Sequence, residues 1–434
     1  MISLLIFGSM IAFMLLGMPI AISLALATTI GMLAGGYDLI LIPQQMVSAV
    51  KSIQLTAIPF FILAAALMNQ LGITRKIFGF AQALVGNLRG GLAHANVVAG
   101  FIFSGISGAA VADAAALAAI SSKEMPKAGY NREFAAATVL AVSTLGPMLP
   151  PSIMMVVYAV TANVSVARMF AAGIVPAFLI AMLLMATIAF LTYTGRTPSP
   201  SPERFSARRL WKATTGALLA LFAPLIIMRG MATGWVTPTE AGTLAVGYAL
   251  LVGLLQRNLT LKAIRTALLE AVEASVLIMF IIAVSSVLSY VFVAEGTAEM
   301  IASAMTSMSV GKFSFLVIST LLLLMLGCLV ETLPAMLLAV PLLLPTALHV
   351  GVDPVHFGVL VIFNLLIGYM HPPMGVGLFI LMAIAKVEFV PLVKATLPFL
   401  LVLLVALLFL IFVPGISLWL PNVLLPLPSV VLQK

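Results

Sequence analysis

The chain is dominated by apolar runs that are long enough to cross a lipid bilayer. A spanning helix needs roughly 20 apolar residues, and such runs recur at approximately 2–34, 48–71, 92–120, 134–160, 168–194, 213–229, 237–255, 266–294, 313–349, 355–385 and 393–425. Only 8% of the residues are charged, against about a quarter in an average soluble domain. Alternating strand patterns of the outer-membrane type are absent, so the spans should be helices. The sequence therefore predicts an all-α polytopic membrane protein.

Polar stretches indicate how these spans are organised. The longest one, 195–212, carries five basic residues and one Glu, which predicts a basic cytoplasmic linker between a first half, 1–194, and a second half, 213–434. The net charge of +8 comes from basic residues scattered near the ends of the runs, so nucleic-acid binding is not expected. Met1–Leu16 lacks a basic n-region and a cleavage site, and we interpret it as an uncleaved first span. Gly17 and Pro19 leave open whether 2–34 forms two short segments or one kinked helix.

The two halves resemble each other. When the first half is shifted by 222 residues, its glycines and prolines coincide with those of the second: Gly105 with Gly327, Gly129 with Gly351, Gly146 with Gly368, Pro150 with Pro372, and Pro151 with Pro373. We interpret this register as an internal repeat. Repeats in secondary transporters are often inverted around a central binding site, so two inverted repeats are expected. Inversion requires an odd number of crossings between equivalent points.

Each half contains two interrupted segments. The runs 92–120 and 313–349 have polar, Gly-rich centres, which predict re-entrant helical hairpins with tips at Ser104–Gly108 and Gly327–Pro334. The following runs, 134–160 and 355–385, contain Gly/Pro breaks and predict discontinuous helices. Backbone that bends inside a bilayer must find partners in protein or a water-filled cavity, so these segments are candidates for a binding site. The alternative is ordinary proline kinks and glycine packing sites.

Several polar residues in these segments are candidates for the chemistry. Asp113 and Glu331 are the acids set deepest in apolar sequence, and an intramembrane carboxylate is costly enough to be a functional candidate. For Asp113 the alternative is a cap on a half-helix. The Pro150–Pro151 and Pro372–Pro373 pairs free backbone carbonyls, which together with Ser/Thr hydroxyls suit a monovalent cation. His371 is either a proton site or a neutral structural histidine.

Six segments that span nearly the whole chain carry a family resemblance: IPFFILAAALMNQLGITR (58–75), GGLAHANVVAGFIFSGISGAAVADAAAL (90–117), EMPKAGYNREFAAA (124–137), STLGPMLPPS (143–152), GWVTPTEAG (234–242) and GVDPVHFGVLVIFNLLIGYMHPPMG (351–375). They resemble the large membrane subunit of the tripartite ATP-independent periplasmic (TRAP) transporters, in the ion transporter superfamily. The resemblance implies an elevator-type transporter in a bacterial inner membrane, which carries a small organic anion with sodium ions.

The resemblance also implies partners and a substrate class. One partner is a small four-helix membrane subunit, expected here as a separate chain. The other is a soluble periplasmic binding protein that delivers the substrate. The implied substrates are carboxylates or sugar acids, such as C4-dicarboxylates or sialic acid.

Carried over by motif, the resemblance implies two sodium sites, each where a hairpin tip meets a broken helix. The first would use Ser104, Gly105, Ser107, Gly108, Thr144, Gly146 and Pro147, and the second Gly327, Glu331, Thr332, Gly368, His371 and Pro372. The implied substrate-binding residues are Ser107, Asp113, Pro150, Pro151, Pro373 and Gly375. His371 stands where the family usually has Thr, so a hydroxyl ligand is missing and proton coupling is an alternative there. No cofactor other than sodium is expected.

Two other functions compete with this interpretation. A stand-alone carrier or antiporter of the same superfamily would need no partner. A membrane-embedded enzyme would need a motif such as HExxH or GxSxG, and neither occurs in the sequence. The four histidines, at positions 94, 349, 356 and 371, also show no paired metal spacing. The sequence therefore predicts a transporter and not an enzyme.

Overall fold

The structure, a computed structural model, describes residues 2–200, 204–297, 300 and 311–426. These residues form nineteen α-helices and no strand. The first half contains α1 (Ile2–Leu15), α2 (Ile20–Ala34), α3 (Leu41–Val50), α4 (Ala57–Gln70), α5 (Ile73–Val85), α6 (Gly91–Ser107), α7 (Ala110–Lys127), α8 (Arg132–Ser143), α9 (Ile153–Thr161) and α10 (Val166–Tyr193). The second half contains α11 (Ala207–Ala232), α12 (Pro238–Leu255), α13 (Leu261–Ala294), α14 (Lys312–Leu329), α15 (Thr332–His349), α16 (Pro354–Met370), α17 (Val376–Ala385), α18 (Phe389–Phe412) and α19 (Gly415–Leu424).

Many of these helices are suited to a bilayer. In the described part of the chain, seven helices are long and apolar enough to cross a membrane, or nine if each of two bent helix pairs counts as one span. One bent pair is α8 with α9. The run 2–34 forms two helices, α1 and α2, which pack against each other after a turn at Gly17 with φ +81°. The predicted all-α, multi-pass membrane fold is confirmed.

The helices pack in two groups. In the first group, α4 packs against α12 and α13, and α13 also contacts α2 and α3. In the second group, α8 contacts α6, α7 and α18, while α16 contacts α10, α14 and α15. Buried residues of α1, α2 and α13 also form a smaller apolar cluster. Leu338 of α15 belongs to this cluster, so the second group contacts it there. The amphipathic helix α5 joins the two groups. It packs against α6 of the second group and against α11, which contacts α12 of the first group.

The helix pairs α6–α7 and α14–α15 open toward opposite ends of α10. At the C-terminal end of α10, the Thr192 hydroxyl donates to the carbonyl of Arg89 at 3.3 Å, just before α6 begins. Near the N-terminal end of α10 lies Tyr158, in the preceding helix α9. Its hydroxyl donates to the carbonyl of Pro354 at 2.6 Å, just after α15 ends. The 28 residues of α10 extend about 42 Å at 1.5 Å per residue. The two contacts therefore mark opposite faces of the protein.

The first hairpin is longer than the predicted range 92–120. Its arms have 17 and 18 residues, about 26 Å each, because α7 continues beyond Ile120 to Lys127. The added turns carry exposed Lys123, Glu124 and Lys127, so they extend into polar surroundings. The turn falls at Gly108–Ala109, and the second hairpin, Lys312–His349, turns at Val330–Glu331.

The boundary predicted at the end of the linker was wrong. The sequence predicts a linker over 195–212, whereas α11 already begins at Ala207. The Ser206 hydroxyl caps this helix by accepting a hydrogen bond from the backbone N–H of Arg209 at 3.3 Å. Charged side chains in the first turns of α11 made a helical segment resemble a loop.

Basic residues are concentrated at one face, which we call the linker face because α10 ends and α11 begins there. Following the chain from helix to helix, sixteen of the 21 Lys and Arg residues lie at this face: Arg75, Lys76, Arg89, Lys123, Lys127, Arg132, Arg196, Arg204, Arg208, Arg209, Lys212, Arg257, Lys262, Arg265, Lys386 and Lys394. Such asymmetry is typical of the cytoplasmic face of a membrane protein.

Candidate functional site

The turn between α6 and α7 lies against the break in the first discontinuous helix. Gly108 ends α6 with φ +66°, a conformation that glycine adopts without steric cost. A Cβ at Gly108 would collide with the carbonyl oxygen of Pro151, and one at Gly105 would lie 2.9 Å from the ring of Pro224 in α11. The Ser107 hydroxyl accepts a hydrogen bond from the N–H of Ala109 at 3.3 Å within the turn. Glycines at the hairpin tip therefore let two backbones approach closely.

Asp113 is the most constrained polar residue of this junction. It lies in the first turn of α7 and is 0% exposed. Its Oδ2 accepts a hydrogen bond from the Ser104 hydroxyl at 3.1 Å, while its Oδ1 has no hydrogen-bond partner among the described residues. Gly146 faces the same carboxyl group, since a Cβ there would lie 3.1 Å from Asp113 Cγ and closer still to Oδ2. A buried carboxylate with few hydrogen-bond donors is stabilised by a bound cation, or else it is protonated.

The break itself supplies oxygen acceptors. Between α8 and α9 the chain is irregular except for a 3-10 turn at Gly146–Met148. Pro147 has no N–H, so the carbonyl of Ser143 lacks the amide donor it would have in a continued helix. The Thr144 hydroxyl donates to the carbonyl of Ala141 at 2.7 Å and keeps its lone pairs as acceptors. Of the first predicted set, Ser104 and Gly146 therefore lie against the Asp113 carboxyl group, while Gly108 lies against the carbonyl of Pro151.

The second junction is built on a contact between two glycines. A Cβ at Gly368 of α16 would lie 2.6 Å from the carbonyl carbon of Gly327, and one at Gly327 would lie 2.9 Å from the carbonyl oxygen of Leu365. The carbonyl of His371 accepts hydrogen bonds from Cys328 Sγ at 3.4 Å and from the N–H of Gly375 at 3.0 Å. The tip of the second hairpin and the second Pro pair therefore meet through backbone.

The polar side chains of the second predicted site are less closely associated. Glu331 is the N-cap residue of α15 and makes no side-chain cap hydrogen bond. Among the hydrogen bonds of the described residues, none joins Glu331 or Thr332 to His371 or Pro372. These four residues are half-buried, whereas residues 141–152 around the first junction are buried throughout. The structure brings together the backbone of the second set but not its side chains.

Tyr369 is a polar residue of the site that the sequence analysis missed. Its side chain is 1% exposed and its hydroxyl has no hydrogen-bond partner among the described residues. The hydroxyl faces Ser143, the last residue of α8. Tyr369 therefore brings the second broken helix next to the first. Its position three residues before Pro372 was the available signal.

Among the described residues, the cavity that the predicted substrate-binding residue Pro151 borders is too small for an organic anion. The cavity next to Gly105 and Pro151, toward α4, α11 and α12, has a volume of about 10 Å³, roughly that of one water probe. Pro150 and Gly375 are buried, while Pro373 is exposed. A much larger groove of about 1020 Å³ separates α1 from α14 and α15 near Met374. Its lining is apolar apart from Ser319. Such an apolar groove does not suit an anion.

Comparison with known proteins identifies the family. The family model of the tripartite ATP-independent periplasmic transporter DctM component matches residues 7–416. The chain belongs to this family of TRAP transporter permeases. The prediction from the sequence is confirmed, and with it the prediction of a transport protein and not an enzyme.

Relatives with named substrates align with most of the chain. The sialic acid TRAP transporter large permease protein SiaM of Vibrio cholerae is 36% identical over 94% of this chain and 96% of its own length. The C4-dicarboxylate TRAP transporter large permease protein DctM of Pseudomonas aeruginosa is 36% identical over 85% of this chain and 86% of its own. The isethionate TRAP transporter permease protein DctMQ of Oleidesulfovibrio alaskensis is 34% identical over 95% of this chain but only 65% of its own length.

A solved structure shares the fold. The crystal structure of the YdaH transporter of Alcanivorax borkumensis superimposes with a TM-score of 0.58 at 17% identity, covering 85% of this chain and 88% of that one. At this identity the likeness concerns the arrangement of helices alone.

Proposed function

We propose that this protein couples the uptake of a small organic anion to sodium ions across a bacterial inner membrane. The substrate is a carboxylate or sugar acid that a periplasmic binding protein delivers. Family membership supports this proposal, because relatives that align with most of the chain are named for sialic acid and C4-dicarboxylates. The dense apolar helices and the basic linker face support insertion with that face toward the cytoplasm.

The buried carboxylate of Asp113 carries the proposal of an ion site. Its environment contains the Ser104 hydroxyl, the unpaired Oδ1 and the broken backbone beside Gly146. Discontinuous helices hold coupling ions in other secondary transporters through such unwound carbonyls. Among the described residues, no Lys or Arg side chain forms an ion pair with Asp113. A bound sodium ion would neutralise the negative charge of this carboxylate. We therefore propose Asp113 as an ion ligand, whereas the family resemblance had placed it among the substrate-binding residues.

The arrangement of helices supports two inverted repeats and an elevator movement. The α6–α7 and α14–α15 hairpins open toward opposite faces, as inverted repeats require. Arms of about 26 Å are shorter than the ~42 Å of α10, which supports hairpins that enter the bilayer and return. The cavity beside Gly105 and Pro151 has a volume of about 10 Å³, which is too small for an organic anion. Binding of the substrate therefore requires the second helix group to move against the first. The apolar groove beside α1 is a surface along which these groups can slide.

The partner subunit is proposed to be a separate chain. The relative DctMQ extends well beyond the region that this chain matches, which supports a further membrane segment in that protein. Co-purification from native membranes tests this point, because a stoichiometric small membrane protein is expected with the tagged chain. A chain that purifies alone and transports alone would instead support the stand-alone carrier.

Uptake into proteoliposomes tests the ion site. The protein, with any subunit that co-purifies, receives labelled sialic acid or a C4-dicarboxylate from the cognate binding protein under a sodium or a potassium gradient. We expect uptake with sodium only. In Asp113→Asn the charged ligand is lost, and the sodium concentration for half-maximal uptake should rise about tenfold or more, since hydrogen bonds and contacts to charged groups contribute ~1.5–3 kcal/mol.

Asp38→Asn is the matched control, because Asp38 is exposed between α2 and α3 and the same atoms change. It should keep the wild-type sodium dependence. Uptake that follows a pH gradient and ignores sodium would show that Asp113 binds a proton, and would refute the sodium assignment.

A further inference from the structure

A cavity on the linker face gathers positive charge between α5 and α11. Its volume is about 330 Å³, and it is lined by Lys76, Gly79, Arg209, Lys212, Ala213 and Gly216. Three of these residues are cations, and the other three are small. Small residues let a ligand come close to the helix backbone, while the cations can bind an anion. The cavity lies outside the two junctions described above.

The cavity lies where α11 passes from its basic first turns into its apolar part. The amphipathic helix α5 buries one face, including Ile77 and Phe78, and exposes Arg75. Such a helix is suited to lie along a membrane surface. The other wall is formed by the first turns of α11, before this helix enters its apolar part. Headgroup phosphates occupy the same zone of the bilayer.

Two of the cavity's cations, Lys76 and Lys212, can bind an anion. Lys76 Nζ donates to Oε1 of Gln256, which ties α5 to the end of α12 and leaves two N–H donors. Among the residues that the structure describes, no carboxylate lies within 4 Å of the Lys76 or Lys212 ammonium. Arg75, next to Lys76, and Arg257, next to Gln256, add further positive charge. The carboxylate of Glu270, in α13, accepts a hydrogen bond from the side chain of Gln70.

We propose that this cavity binds the phosphate of an anionic phospholipid of the phosphatidylglycerol or cardiolipin type. Basic pockets between membrane helices on the cytoplasmic side bind such headgroups, and ammonium and guanidinium groups form charge-assisted hydrogen bonds with phosphate. A free phosphate ion shares the same chemistry. The position at the bilayer surface favours the lipid, because a headgroup is held at that depth by its acyl chains.

Native mass spectrometry of the purified full-length chain, with any co-purifying subunit, tests the site. The protein in detergent is titrated with phosphatidylglycerol, with phosphatidylcholine as the neutral-headgroup comparison. We expect one saturable phosphatidylglycerol molecule that phosphatidylcholine does not replace. In Lys212→Gln its apparent Kd should rise about fivefold, the effect of about one Lys near a charged membrane surface. Lys262→Gln, the same change on α13 outside the cavity, should leave this Kd unaltered.

A second variant tests the cavity without removing a charge. A Cβ at Gly216 meets nothing within 4 Å, so Gly216→Leu should fold and fill the cavity. It should weaken phosphatidylglycerol binding, while Gly247→Leu, another open helical glycine, should not. Equal lipid binding in both leucine variants would overturn the proposal. Saturation by inorganic phosphate at millimolar concentration, with no added affinity for phosphatidylglycerol, would overturn the lipid assignment in favour of a free anion.

Discussion

Replacing Gly146 by Ala would place a methyl group against the carboxylate of Asp113. The new Cβ would lie 3.1 Å from Asp113 Cγ and nearer to Oδ2, whereas carbon atoms at rest are separated by ~3.5–4.0 Å. The carboxyl group would have to move by about 0.5–1 Å. It cannot swing freely, because it is completely buried and bound to Ser104 at 3.1 Å. The movement would break this hydrogen bond and displace the proposed ion ligand.

The expected cost follows from the broken contact. A hydrogen bond to a charged group contributes about 1.5–3 kcal/mol, which is roughly a 10- to 100-fold change in an equilibrium constant. The sodium concentration that gives half of the maximal thermal stabilisation, or half-maximal uptake, should rise by that factor in Gly146→Ala. The unfolding midpoint without sodium should also fall, because a methyl group forced into a filled site costs about 1–3 kcal/mol.

Gly247→Ala is the matched control for this experiment. Gly247 lies in α12, and a Cβ there meets nothing within 4 Å. This variant should keep the wild-type response to sodium. If Gly146→Ala unfolded at a lower temperature yet responded to sodium at the wild-type concentration, the carboxylate would not be an ion ligand, and the reasoning would be refuted.

Three further substitutions probe the two junctions. Ser104→Ala should raise the sodium concentration for half-maximal uptake about tenfold, because it removes a hydrogen bond to a charged group. Ser122→Ala on α7, whose hydroxyl bonds to a carbonyl of its own helix, should leave this concentration unchanged. Equal effects of the two substitutions would argue against the site. Tyr369→Phe should lower the Hill coefficient for sodium in uptake assays, because the hydroxyl faces Ser143 of α8 and so connects the two broken helices, and an unchanged coefficient would exclude this coupling. Gly368→Ala should lower the unfolding midpoint in a thermal melt, since its Cβ would press on the backbone of Gly327; a wild-type midpoint would contradict the close packing.

Sequence patterns of short range predicted several features. The lengths of the apolar runs predicted the membrane fold and most helix positions, because a helix in lipid satisfies its backbone hydrogen bonds within one segment. The Gly–Pro breaks at 146–151 and 368–375 predicted where helices end, since proline has no N–H to donate. The end of the linker was missed, because charges in the first turns of α11 resemble a loop until Ser206 is seen to cap them.

The sequence by itself therefore determined the membrane class, the family, and which segments are interrupted. Only the tertiary structure decided how these segments meet. Ser104, Asp113 and Gly146 come from two separate segments, and their joint environment depends on the angle at which the hairpin approaches the break. Tyr369 of α16 comes to face Ser143 of α8 in the same way. Backbone preference and hydrophobicity act along neighbouring residues, whereas a binding site depends on packing between elements that are distant in the chain.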